Sequence, residues 1–143
     1  KGETMKRKTE REIIVLALYS IEMSGNALEE TVTYIMKQMK IKEDPTEYIF
    51  GSIRGVLDNV DKIDEVISQN LENYKINRLN YVDLAIIRFA TYELMFRPDL
   101  HPAIIINEAV ELSKKYSEID DFKTSAFNNK LLDKIRVSLE SGR

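Results

Sequence analysis

From Arg11 onward apolar residues crowd nearly every position: Ile13, Ile14, Val15, Leu16, Ala17, Leu18, Tyr19 and Ile21. A helix that is apolar on nearly every face is a buried one. The run is rich in β-branched residues, so a short strand competes, but its length and flanking charged helix formers favour helix. Ser24-Gly25-Asn26 ends it, with Gly25 supplying the permissive backbone of a helix stop. Val32, Ile35, Met36 and Met39 then recur at spacings of three and four, predicting a second helix over about 28–40. Glu43-Asp44-Pro45-Thr46-Glu47 reads as a start signal. Asp44 caps the free amides, Pro45 suits the first helical position, and Glu47 sits three residues after the cap. From there Ile49, Ile53, Val56, Leu57, Val60, Ile63 and Ile67 form one apolar stripe, which predicts a single long third helix. Gly51 and Gly55 lie within it. Each costs about 1 kcal/mol relative to alanine in a helix interior, so close packing against a neighbouring helix is expected there.

The stretch 74–80 breaks the pattern. A fourth helix over 82–96 carries Leu84, Ile87, Phe89, Ala90, Leu94 and Met95. Residues 97–102 form a loop around Pro98 and Pro102, since the residue before a proline avoids helical geometry. A fifth helix covers 103–116, a polar acidic segment follows over 117–123, and a last helix spans 125–139, ending near Gly142. There is no internal repeat or low-complexity tract. The expectation is an all-α fold, a compact bundle of about six to seven helices around a shared core.

Composition agrees with that pattern and narrows the chemistry. The chain has 143 residues, 43% hydrophobic and 31% charged, with only 5 glycines and 3 prolines. This length buries about two-thirds of the unfolded surface and needs no disulfide or metal staple. Cysteine is absent, which removes disulfides and Cys-based zinc or iron–sulfur sites and fits a reducing compartment. No apolar run approaches the roughly 18 residues of a bilayer span. The N-terminus has no apolar signal region, so a cytoplasmic location is expected. Residues 1–4 are expected to be a non-native remnant or disordered start before Met5, with a single helical domain over 5–140.

His101 is the only histidine and reads as a loop residue, so paired imidazoles are excluded. There is no glycine-rich phosphate loop, serine elbow or nucleotide fingerprint. Glu108 and Glu111, three apart on one helix, more often cap or solvate than catalyse. Asp61, Asp64 and Glu65 read as a solvated helix face before a divalent-ion site. No enzymatic activity, metal or cofactor is expected.

Charge placement says more than the net value of −3. Lys6, Arg7, Lys8 and Arg11 cluster at the N-terminus, diluted only by Glu10, while Asp58, Asp61 and Glu65 share one helix face. Such asymmetry fits two partners, one anionic and one cationic. On a helix, adjacent cations point about 100° apart, so these would wrap the surface without forming one stripe. Cations at a helix N-terminus oppose its dipole at a cost of a few tenths of a kcal/mol, and dense positive charge is what phosphate binding needs. The competing reading is a solvated terminus.

Several segments carry a family likeness. They are Ala17-Leu18-Tyr19 after a basic start ending in Arg11-Glu12, then Arg88 through Tyr92-Glu93-Leu94, then Ile106-Asn107-Glu108-Ala109-Val110-Glu111-Leu112, and finally Phe127 with Asn129 and Leu132-Asp133-Lys134. In this order and at consistent spacing from about Met5 to Ile135, they resemble the NusB family of bacterial transcription antitermination factors. The resemblance implies an all-α fold of two packed helical subdomains without enzymatic activity. It implies pairing with NusE, which is also a small-subunit ribosomal protein. The pair would bind boxA-type single-stranded RNA and help RNA polymerase resist termination, notably on ribosomal RNA operons. The family's arginine-rich motif maps onto Lys6, Arg7, Lys8 and Arg11, and its RNA-contacting aromatic onto Phe127. NusE-facing positions map onto Tyr19 and Asp83.

This chain departs from the family pattern in places. Thr9 and Glu10 stand where a basic or small residue is frequent, and Lys130 replaces the usual glycine after the asparagine. Lys123 and Lys130 are expected to restore positive charge beside Phe127. Taken without the resemblance, Phe127 fits a core anchor of the last helix or a platform for an unpaired base. Tyr19 fits a packed ring with its hydroxyl at the surface, and Asn107 and Glu108 fit structural roles. Two other functions remain open: a helical protein-interaction adaptor that does not touch RNA, and a detached relative of the NusB-like domain found ahead of RNA cytosine methyltransferases.

Overall fold

A computed structural model describes residues 5–72, 75–117 and 124–142. They form seven α-helices: α1 (Arg7–Ser24), α2 (Leu28–Gln38), α3 (Glu47–Asp58), α4 (Val60–Gln69), α5 (Tyr81–Phe96), α6 (Pro102–Tyr116) and α7 (Thr124–Ser141). A short 3-10 turn, Ile76–Arg78, precedes α5, and no strand occurs among the described residues. The all-α expectation therefore holds.

Local boundaries differ from the pattern in three informative places. First, α1 begins at Arg7, so Arg7 and Lys8 belong to its opening turn. Second, the long third helix is two helices. Asn59, at φ −115° and ψ 18°, interrupts the run, and its amide side chain donates to the Gly55 carbonyl at 2.8 Å. The stripe survives the break because Ile53, Val56, Ile63 and Ile67 all reach the same core. Third, α3 is capped by Thr46, two residues later than Asp44. The Thr46 hydroxyl accepts from the Ile49 amide at 3.2 Å and donates to the buried Glu10 carboxylate at 2.5 Å. Serving both helices makes Thr46 the better cap.

Other ends follow simple chemistry. Gly25 takes the left-handed conformation, φ 75°, and its amide closes on Ile21, a geometry that favours glycine. Asn80 caps α5 by accepting from the Asp83 amide at 2.8 Å. Pro102 opens α6, and the His101 ring accepts from the Ala103 amide at 3.1 Å. His101 is thus a helix cap as well as a loop residue.

Helix α5 is the hub. It packs against α1, α3, α4, α6 and α7, and Ile86, Ile87 and Phe89 on it are essentially inaccessible. On one side α1 carries α2 and α3; on the other α6 and α7 pair. Arg11 of α1 meets Glu93 near the end of α5, while Glu22, later in α1, meets Arg88, earlier in α5, so the two run antiparallel. Buried side chains from all seven helices join one core. The close approach expected at the glycines is real at Gly55, where a Cβ would run into the Tyr92 ring of α5. At Gly51 the nearest group is Glu47 of the same helix, 3.0 Å from a Cβ position, so no neighbouring helix dictates that glycine.

Candidate nucleic-acid and partner interface

The N-terminal cations part company as soon as α1 forms. Lys6, Arg7 and Lys8 are exposed. The Arg7 guanidinium carbon lies over the Tyr48 ring of α3, 3.6 Å from its centre, with Glu10 3.4 Å from its Nε. Lys8 turns the other way, toward Glu108 of α6 at 3.6 Å. Arg11 is only 4% exposed, and its Nη1 donates to Glu93 at 2.6 Å. Arg11, expected to face RNA, has its guanidinium in the interior of this structure, where it pairs with a carboxylate that is 0% exposed. Tyr48 donates its hydroxyl to the second oxygen of Glu93 at 2.5 Å. Burial, reinforced by the Glu93 charge, pushes the Tyr48 hydroxyl far above its ordinary range, so it remains a donor.

One further cation joins this end. Arg97, just past α5, lies 5.9 Å from the centre of the same Tyr48 ring. Asp99 accepts from its Nε at 3.0 Å and its Nη2 at 2.8 Å. That bond, with Arg7 adding to the pull, holds the Asp99 carboxyl below its usual range. Arg7, Glu47, Tyr48, Ser52, Tyr92 and Arg97 border a shallow depression of about 360 Å³.

The other end of α5 is built differently. Asp83 is 5% exposed and accepts from the Ser117 hydroxyl and from Asn128 Nδ2 at 3.0 Å. Asn128 also donates to Ser113 at 2.9 Å, and Ser113 to the Ala109 carbonyl at 2.9 Å. Asp83 is thus the centre of a polar knot joining α5, α6 and α7. Expected to face the partner, Asp83 is buried in this structure, with two protein donors on its carboxylate.

Tyr19 is half-buried and borders a groove of about 290 Å³ with Tyr81, Val82 and Tyr116. Tyr81 is 49% exposed and continues into a neighbouring cleft lined by Leu18, Leu57, Val60 and Leu84. Glu22, Asp61 and Asp64 rim that cleft. Asp64 takes two bonds from Arg88, at 2.9 and 2.7 Å, so only part of the acidic face is free of ion pairing.

Phe127 is half-buried against the core, and its outer edge borders a groove of about 170 Å³ with Leu71, Lys130 and Lys134. Lys134 bonds Glu72 at 2.7 Å and holds that carboxyl below its usual range. Lys130 is exposed; Lys123 lies outside the described residues. The cations of α1 and the Phe127 groove are not brought together. Arg11 docks at Glu93 and Asn128 docks at Asp83, leaving about 15 Å of helix between the two anchor points.

Tyr48, Arg97 and Tyr81 were not singled out by pattern. Tyr48 and Arg97 come from segments far from α1 in sequence, and no local periodicity links them. Tyr81 carried one usable signal, a large aromatic ring at the exposed first position of a buried helix.

The fold and this surface define an all-α helical bundle whose exposed chemistry consists of charges and aromatic rings at opposite ends of a central helix. The NusB family model matches residues 8–136, and the chain belongs to the NusB family of transcription antitermination factors. The transcription antitermination protein NusB of Acetivibrio thermocellus is 36% identical over 138 residues, covering 96% of this chain and 93% of that one. A solved structure of T. maritima NusB superposes with a TM-score of 0.82 at 32% identity, over 94% of this chain and 93% of that one. A solved complex of the antitermination factors NusB and NusE with dsRNA matches with a TM-score of 0.80 at 28% identity, covering 92% of this chain and 96% of the matching one.

Proposed function

We propose that this chain is a non-enzymatic, cytoplasmic antitermination factor that pairs with a NusE-type ribosomal protein and binds boxA-type single-stranded RNA, acting on RNA polymerase in ribosomal RNA transcription. The observation that carries this reading is the end-to-end likeness to a NusB solved together with NusE and dsRNA. The partner would dock on the aromatic groove of Tyr19 and Tyr81, whose neighbouring acidic rim suits a basic protein. RNA would meet Lys6, Arg7 and Lys8 at one end of α5. At the other it would meet Phe127 and Lys130, with Lys123 as a further cation. Arg11 and Asp83 contribute by holding the scaffold behind those surfaces.

A gel shift with boxA-like and scrambled RNA, with and without NusE, tests this reading. The expected outcome is preferential boxA binding that strengthens when NusE is added. Replacing Lys6, Arg7 and Lys8 by alanine should weaken it and flatten the salt slope by about 2 for three lost phosphate contacts. One observation favours the adaptor reading: two of the exposed cations already face carboxylates, Arg7 with Glu10 and Lys8 with Glu108. NusE binding with no RNA gain in the complex would select the adaptor. Failure of NusE to bind would remove both.

A further inference from the structure

We propose that Arg97 completes, with Arg7, a seat for one backbone phosphate of the RNA on the Tyr48 ring. This rests on the RNA-binding reading above and adds to it a residue outside the N-terminal basic segment. The two guanidiniums come from opposite termini of antiparallel helices, and Tyr48 lies between them: Arg7 is 3.6 Å and Arg97 5.9 Å from the ring centre. Both border the same depression, with Ser52 and Glu47 among its lining residues.

The ring is fixed before any ligand arrives. Its hydroxyl is tied at 2.5 Å to Glu93, and Glu93 is tied at 2.6 Å to Arg11. Arg11 is therefore a positioning residue: it holds the carboxylate that holds the ring on which Arg7 lies. A guanidinium lying on an aromatic ring still presents its N–H edge, which suits bidentate phosphate recognition. Preorganisation of this kind lowers the ordering cost of binding.

Four carboxylates face these cations from the elements packed around them. Glu47 of α3 lines the depression itself, with Arg54 Nη1 3.8 Å from its carboxylate. Glu93 is consumed in the interior by Arg11 and Tyr48. Glu10 approaches Arg7 at 3.4 Å but also accepts from Thr46 at 2.5 Å. Asp99 chelates Arg97 through Nε and Nη2, leaving the Nη1 donors without a protein acceptor among the described residues. The Asp99 side chain is 60% exposed, and exposed ion pairs of this type are weak. Asp99 thus occupies the Arg97 edge that a phosphate would take.

The test is fluorescence anisotropy of boxA-like RNA with the full chain and NusE, repeated across a salt series. R97A should weaken binding about three- to tenfold and reduce the salt slope by about 0.7, with NusE affinity and melting temperature unchanged. R97K should recover only part of the loss, because an ammonium lacks the planar fork. D99N should tighten binding, whereas E29Q, which removes one charge from the distant exposed face of α2, should not. Wild-type affinity and slope in folded R97A would overturn the seat while leaving the RNA reading intact. If R97A loses its fold, D99N decides: affinity no better than E29Q overturns the seat. A wild-type chain that binds no RNA overturns both.

Discussion

Arg7 and Arg11 lie one helical turn apart on α1 and do different work. Arg7 is exposed against a ring; Arg11 is interior, paired with an inaccessible carboxylate. Replacing Arg11 by alanine strands Glu93, and breaking a buried pair costs about 3–5 kcal/mol. Replacing Arg7, whose side chain is 54% exposed, costs less, because the buried Glu10 carboxylate keeps its bond from the Thr46 hydroxyl. Urea unfolding should therefore separate the two variants clearly, with R11A falling far and R7A close to wild type. Comparable losses in both would contradict the division of labour. Tyr116 supplies a pH marker at the same scale. Burial, then the bond to Glu12, raises its hydroxyl from 10.0 to about 12. A raised folded value means the contribution is intact below pH 10 and is lost as pH rises toward 12. Alkaline titration followed by tyrosinate absorbance should contain a component near pH 12 that Y116F removes, while the still later component of Tyr48 remains.

Helices obey periodicity until a side chain or a neighbour intervenes. The apolar stripe from Ile49 to Ile67 marks a buried face at Ile49, Ile53, Val56, Ile63 and Ile67, while Leu57 is 41% exposed; it spans two helices, because a stripe reports which residues meet the core and not whether the backbone is continuous. Asn59 breaks the run, and nothing in the apolar pattern announces it. Gly55 belongs to the same scale. Its helix cost was legible as a sign of close packing, but only α5 identifies the object it packs against, the ring of Tyr92. Gly55→Ala gains about 1 kcal/mol of helix propensity and meets an overpacking cost of about 1–3 kcal/mol. The melting temperature should fall modestly; a rise would mean that Tyr92 moves aside freely. Asp83 was legible as an acidic residue in the first turn of a helix, where the helix dipole favours it. Its capture by Ser117 and Asn128 depends on how α6 and α7 close over α5.

At the scale of the whole molecule, α5 separates two surfaces. The Arg7 end and the Phe127 end share no contacting side chain in the described bonds and rings. Perturbations that far apart add. A double-mutant cycle combining the α1 triple alanine variant with F127A should therefore give RNA-binding losses additive to within about 0.5 kcal/mol. Strong coupling would mean that the RNA or a shape change links the ends.

The sequence by itself determined the all-α class, most of the helices and most of their buried positions, the absence of cysteine chemistry and the family likeness, because these depend on local periodicity and residue type. Only the tertiary structure decided which charges are available. A charge is exposed or interior according to what meets it from elsewhere in the chain: Glu93 for Arg11, Asn128 and Ser117 for Asp83, and Tyr48 for Arg7. Those partners lie tens of residues away, and the 3.6-residue period that reveals a helix face carries no information about them.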